Sequence, residues 1–374
     1  MKLLLILLLL FPTITFGKEY VVKFATPQVG LNQITTSTYL LNLNEKEHKN
    51  LIASNSVIYA EPNYTYSISA NPDPLYKHQW GLSAKGINAK KAWKDFGSSS
   101  SIIIGVIDTG VDINHQDLTA NIWVNEAEKN GQEGIDDDNN GYIDDVNGYD
   151  FYNSKPVPLD DHGHGTHCAG VIGALHNDVG VKGVLSSVKI LPMKFLSKTG
   201  SGTLANAVKA IDYAIANNVG VLSLSWGSTS YSRALEEAFQ RAKDAGIISV
   251  AAAGNSSVNN DERPHYPSNF DSVISVASLK YDKLSYFSNY GESVHIAAPG
   301  SQILSTVLGG YKYSSGTSMA APHVSAAVGL LLHHHDLNFD EVLDRIITHS
   351  VPLKSLEDKI LSGGKLDLYK LLRE

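Results

Sequence analysis

Short, mostly β-branched apolar runs alternate along this chain with longer segments whose apolar residues fall at helical spacing. Ser101–Ile107 and Ile247–Ala253 are almost unbroken in their apolarity, which predicts strands buried on both faces of a sheet. Helical patterns follow: one continues through Val171–Leu175, a long one runs from Ser318 to Leu332, and Glu341–Ile347 and Lys365–Leu372 are expected to close the fold with no further C-terminal domain. Buried strands alternating with such helices predict an α/β three-layer sandwich around a mostly parallel central sheet, with its site at the carboxyl ends of the strands. Upstream, Glu19–Phe24 and Ser56–Asn63 read as strands and Leu43–Leu51 as a helix, a small α+β region preceding the sandwich.

The extreme N-terminus has a different pattern. Met1-Lys2 leads into an apolar run, Leu3 to Phe16, with Thr15 and Gly17 as small residues near a cleavage point, so residues 1–17 are expected to be a secretory signal peptide. The run is shorter than the roughly 20 residues of a membrane span, and no other stretch qualifies. No cysteine follows it, which argues against a lipid anchor. A secreted or periplasmic product is therefore expected.

Composition narrows the class. With 374 residues, 43% of them hydrophobic and 18% charged, the chain can bury a sizeable core. Its net charge of −8 leaves no basic stripe, which argues against nucleic acid as a partner. Cys168 is the only cysteine, so an exported protein of this sequence must rely on packing and bound cations rather than disulfides. A monomer is expected.

The chemistry-bearing residues sit at element boundaries. Ser318, in Gly316-Thr317-Ser318-Met319-Ala320, stands where a strained turn is expected to meet a helix start; free amide groups there favour negative charge, although serine is also a common cap. Asp108 closes the Ser101–Ile107 strand in Asp108-Thr109-Gly110. That triplet also occurs in aspartic proteases, which need a second carboxylate; here only a homodimer would supply one. In Asp161-His162-Gly163-His164-Gly165-Thr166-His167 the histidine separations of two and three residues do not fit the i, i+4 pair of helical zinc sites, and glycines flank His164. Asp108, His164 and Ser318 thus offer an orienting acid, a base titrating near neutrality and a hydroxyl nucleophile.

The blocks DTGVD, HGTHCAG, SWGS, AAAGN and GTSMAAPHV occur in the order used by the subtilisin-like serine peptidases, and the resemblance runs from about Trp80 onward. The resemblance implies that Asp108 orients His164, that His164 takes the Ser318 proton, and that the Asn255 amide and the Ser318 N–H stabilise an oxyanion. It also implies that a protein or peptide substrate adds as a strand between Gly200-Ser201-Gly202 and Ser225-Trp226-Gly227, with Ala253 and Gly254 beside it. Trp226 then either lines the primary pocket or packs in the core; the 256–265 loop forms a further wall whose base residue the sequence does not identify. Residues 18–73 resemble the family's inhibitory prodomain, an intramolecular partner of the 74–374 peptidase domain, with self-cleavage expected between Tyr66 and Lys77 in a linker around Asn71–Pro74. Cys168 reads as a small buried hydrophobe, and His333–His335 as a solvated helix end.

Calcium is the expected cofactor, in a structural role. Asp136, Asp138 and Asn140 at 1-3-5 spacing before Gly141, with the Tyr142 carbonyl, resemble a calcium loop; position twelve is Asn147, so Asp144 or Asp145 must close the shell. A second site rests on the resemblance alone: Asp117, Asn177 and the carbonyls of Leu175, Val179 and Val181, with an N-terminal ligand left unplaced. Two rival readings stay open, a selective processing protease of the same fold and a non-catalytic binding protein, although no triad or oxyanion residue is missing.

Overall fold

A computed structural model of the protein describes residues 18–63 and 73–373; the expected signal peptide and residues 64–72, with most of the expected cleavage window, lie outside these. Contacts divide the chain into two compact units, Met1–Ala70 and Asn71–Glu374.

In the first unit an antiparallel sheet has the order Gln33–Thr35, Thr38–Leu43, Lys18–Phe24, Val57–Pro62. Tyr20, Val22, Phe24 and Tyr39 form its core. Leu43 ends a strand instead of opening the helix, because Asn44 and Glu47 form a capping box that starts the helix at Glu45–Ile52. Gln33–Thr35, short and fully exposed, carries no apolar signal that the sequence pattern could register.

The main sheet of the second unit runs Val351–Pro352, Gly364–Lys365, Ile296–Pro299, Val273–Lys280, Ile248–Ala252, Val221–Leu224, Ser99–Asp108, Ser187–Lys194, Tyr149–Asp150. Its pairings are parallel except at Val351–Pro352 and at Lys283–Leu284, which joins beside Val273–Lys280. The chain enters at Ser99–Asp108, lays strands on one side, and then crosses to the other at Val221–Leu224. This reversal puts the topological switch point beside Asp108, where α/β sheets bind ligands.

Strand periodicity produces the layers. Ile104 and Val106 join Val221, Ile248 and Val250 in one core, against the helices His164–Gly173 and Thr317–His334. Ile107 joins Leu222, Leu224 and Ala251 in the other, against Leu204–Ala216 and Arg233–Asp244. Successive residues of one strand thus feed opposite faces of the sheet. Two boundaries differ from expectation. The helix at His164 stops at Gly173, leaving 174–181 as a loop, and Lys365 lies in a strand, with the last helix at Leu368–Leu372. Among the described residues no helix is long and apolar enough to cross a membrane.

Candidate active site and cation loops

Asp108 ends its strand fully buried, and its Oδ1 accepts the Thr109 N–H at 2.7 Å. The imidazole of His164, the first residue of its helix, places Nδ1 2.8 Å and 3.0 Å from the two carboxylate oxygens. A Cβ on Gly165 would lie 2.1 Å from the Gly110 carbonyl, so only glycine lets this helix start lie against the strand end. Burial alone would lower the His164 pKa; the charge and hydrogen bond of Asp108 outweigh it and raise the value above 6.5. Asp160 clamps this corner, accepting from the Thr109 hydroxyl, the amides of His162, Gly163 and Thr166, and the Thr166 hydroxyl. The buried Lys194 ammonium donates to the carbonyls of Thr109 and Leu196 and to Asp161. Neither residue has a motif signature: Asp160 is bound mostly by its own segment, 162–166, and only the Thr109 hydroxyl on Asp160 and the Lys194 contacts to Thr109 and Asp161 join residues far apart in the chain.

Ser318 is the second residue of its helix. Its Oγ donates to the Ser225 carbonyl at 3.0 Å, and the Ser318 carbonyl accepts from Ser225 Oγ at 2.9 Å and Cys168 Sγ at 3.4 Å. That carbonyl is available because the residue four positions on is Pro322, which has no N–H. Asn255 Oδ1 accepts both the amide (2.8 Å) and the hydroxyl (3.0 Å) of Thr317, so the amide nitrogen is left as an outward donor. The Ser318 N–H, in the first turn, likewise has no intrahelical acceptor. A Cβ on Gly316 would stand 3.6 Å from each of these two nitrogens, so both donors border one space. Gly316 itself is extended, with φ 165°, and the strained turn expected before Ser318 is not found.

The other candidates take definite places. Gly200, Ser201 and Gly202 lie on an exposed turn in which the Ser197 N–H donates to the Ser201 carbonyl. Trp226 packs its ring against Phe195 and Phe239, with centroid separations of 4.7 Å and 6.5 Å, and its buried indole N–H finds no acceptor among the described residues. Gly227 is exposed, whereas the Ala253 carbonyl is taken by the side-chain amides of Asn260 and Asn289. Gly254 turns the chain at φ 109°. Cys168 is buried with Val171, Ile303 and Met319, and burial pushes its thiol well above its ordinary range. His167 is turned away from Asp108 toward the carbonyls of Ile303 and Lys312, and burial holds it at a pKa of about 4. The three histidines therefore do not converge as metal ligands.

The two acidic loops differ in how their oxygens are satisfied. Asp117 is fully buried; its Oδ2 accepts the Val181 N–H at 3.0 Å, and its Oδ1 has no partner among the described residues. Burial, with the neighbouring Asp73 charge, raises its pKa to about 6. Asp73 accepts the Asn177 N–H at 3.1 Å and sits 2.9 Å from the Lys182 ammonium, contacts that place Asp73 with the second unit although the sequence boundary assigned it to the first. Among the described residues no donor reaches the carbonyls of Leu175, Val179 or Val181. Two close carboxylates and three unused carbonyls form a donor set suited to a hard cation, and Asp73 comes from the N-terminal side, where the sequence left a ligand unplaced.

In the other loop Glu128, Asp136 and Asp138 bring carboxylate oxygens within 4.8 Å of one another. Glu128 comes from the preceding helix, Glu126–Asn130, outside the 1-3-5 motif, so the sequence pattern does not mark it. The loop's own amides already serve these oxygens: those of Asp137, Asp138 and Asp144 reach Glu128, and those of Asn140 and Gly141 reach Asp136. Asn140 spans Asp138 and Asp145 through its Nδ2, and its Oδ1 accepts the Tyr142 N–H. Asp145 is buried and bound by Tyr213, whereas the Asp144 carboxylate turns back to the Gly134 amide at 3.0 Å. Of the two residues expected to close the shell, only Asp145 therefore faces the loop's other oxygens.

The chain is 34% identical to subtilisin-like protease 1 of Plasmodium berghei over 94% of its own length, and spans about six tenths (61%) of that relative. It is 37% identical to thermitase of Thermoactinomyces vulgaris, across 69% of this chain and 84% of thermitase. A solved protease structure from Pseudoalteromonas arctica superposes with a TM-score of 0.67 at 26% identity, covering 81% of this chain and 99% of that one. Residues 99–363 match the family described as the subtilase family, and they contain Asp108, His164, Asn255 and Ser318; the chain belongs to the subtilases.

Proposed function

We propose that the protein is a serine endopeptidase with Asp108, His164 and Ser318 as its triad. The observation that carries this reading is the two-point Asp108–His164 contact together with a helix-start serine whose carbonyl meets Cys168, one turn along the His164 helix, and which has two unused donors beside it. The Ser318 hydroxyl turns from the Ser225 carbonyl to His164, gives its proton to Nε2 and attacks the substrate carbonyl. Asn255 Nδ2 and the Ser318 N–H take the oxyanion. His164 then delivers the proton to the leaving amine, and water hydrolyses the acyl-enzyme by the same steps in reverse roles. Asp108 stays ionised, holding Nδ1–H and stabilising the imidazolium.

The substrate would be a protein or peptide, paired as a strand with the Gly200–Gly202 and Ser225–Gly227 segments. Calcium would be held by Asp73, Asp117, Asn177 and the carbonyls of Leu175, Val179 and Val181, and a second ion by Glu128, Asp136, Asp138, Asn140, Asp145 and the Tyr142 carbonyl. Its role is to neutralise these carboxylates. The chain would be made as a secreted zymogen whose first unit is an inhibitory prodomain, cut before Asp73 so that this ligand stays with the peptidase.

Intact mass of the purified precursor in calcium, followed over time beside Ser318→Ala, tests the reading. Loss of roughly the first 70 residues in the parent alone supports it, whereas identical masses for both proteins would point to a non-catalytic protein or an external activator.

A further inference from the structure

The segments expected to hold the acyl half of a peptide share one neighbour that neither motif contains. A Cβ on Gly227 would lie 2.2 Å from Cε1 and 2.7 Å from Nε2 of His265; a Cβ on Gly254 would lie 3.2 Å from its Cδ2. The imidazole is thus inserted between the Ser225–Gly227 and Ala253–Asn255 segments, where two glycines leave room for it. Its position is fixed by backbone pairing, since Ser228 and Tyr266 exchange N–H···O bonds of 2.8 Å and 2.7 Å, and by the His265 N–H donating to Asn269 Oδ1 at 3.0 Å.

The ring's hydrogen bonds define its tautomer. Ser268 Oγ spends its one hydrogen on the His265 carbonyl at 2.6 Å, so toward Nδ1, 3.1 Å away, it can only accept. Nδ1 therefore carries the hydrogen, and in the neutral ring Nε2 is an acceptor, without a partner among the described residues. Burial lowers the pKa of His265, which favours that neutral form.

We propose that His265 is the floor of the pocket that receives the side chain preceding the cut bond, and that it sets the specificity of that pocket. An imidazole between the two walls limits the pocket's depth, which excludes large aromatic side chains. Its Nε2 lone pair selects a side chain that donates a hydrogen bond over a carboxylate of the same size. This inference rests on the peptidase reading above.

The test uses short fluorogenic peptides identical except at the residue before the cut, with alanine, phenylalanine, glutamine or glutamate there. Ser318 is first labelled with a fluorophosphonate. Absence of both labelling and cleavage would remove the peptidase reading itself. With labelling and cleavage established, the parent is expected to cut the phenylalanine peptide at least tenfold less efficiently than the alanine peptide and to favour glutamine over glutamate. His265→Gly is expected to raise the phenylalanine-to-alanine ratio of kcat/KM at least tenfold and to bring the glutamine-to-glutamate ratio within about threefold of unity. If the parent cuts phenylalanine and alanine peptides equally, the floor is refuted without any variant. Unchanged ratios in a folded His265→Gly protein overturn the proposal, and a surviving glutamine preference alone overturns the role of Nε2.

Discussion

The catalytic face and the Asp73–Asp117 loop both gather polar groups in the second unit, yet their groups are satisfied in opposite ways. Around Asp108 and His164 each buried charge already has a partner, and the free donors are the two nitrogens beside Gly316. Around Asp117 the free groups are acceptors: a buried carboxylate oxygen and three carbonyls, with another carboxylate close by. The first arrangement is prepared for a negative charge that develops during a reaction; the second calls for a permanent positive one. Changes at the first should alter turnover with little effect on stability, and changes at the second the reverse.

The largest expected effect is that of Ser318→Ala, a fall in turnover on the order of 10⁶ with the melting temperature nearly unchanged; peptide hydrolysis and thermal melts measured together check both halves. Asp108→Asn should lower kcat by about 10⁴. The base must be neutral to act, so parent kcat/KM should rise with pH through a His164 pKa above 6.5, and this acid limb should move to lower pH once the carboxylate is gone. A limb that stays in place would dissociate Asp108 from the base. Asn255→Ala should cost about 10² to 10³ in kcat with KM little changed. The largest and smallest of these three magnitudes are those established on subtilisin itself.

On the stability side, chelation should lower the melting temperature by the equivalent of about 3 kcal/mol if calcium is normally present near 100 times its dissociation constant. Asp117→Asn should melt early in calcium and lose less to chelator than the parent does, because the ligand and the buried like charge disappear together and only the ion of the Glu128 loop is left to remove. The smallest effect is expected at Glu128→Gln, about 1–3 kcal/mol, most of it persisting without calcium, because backbone amides of its own loop bind this carboxylate whether or not an ion is there. A calcium-dependent loss at Glu128 matching that at Asp117 would erase the distinction between the two acidic loops.

The catalytic candidates were legible because each carries its local context in a short motif: a buried run before Asp108, glycines around His164, a helix start at Ser318. Asp73 and Glu128 were not, because what makes each a candidate ligand is proximity to residues far along the chain or on another element. Asp144 and Asp145 show the limit at its narrowest. Adjacent and chemically identical in sequence, they point to different partners because Asp144 takes a left-handed conformation, with φ 55°. Leu43 and Gly316 failed for a related reason, as a single capping residue and a single extended one reset boundaries that hydrophobic pattern alone does not fix.

The sequence alone determined the layered α/β architecture and offered the hydroxyl, imidazole and carboxylate candidates, with the oxyanion candidates added by the family resemblance, since strand burial and motif chemistry are both local properties of the chain. Only the tertiary structure decided which oxygens lack partners, which carboxylates face one another, and that His265 stands between Gly227 and Gly254. Those are properties of pairs brought together through space, and desolvation and hydrogen-bond satisfaction take their values only once the partners have met.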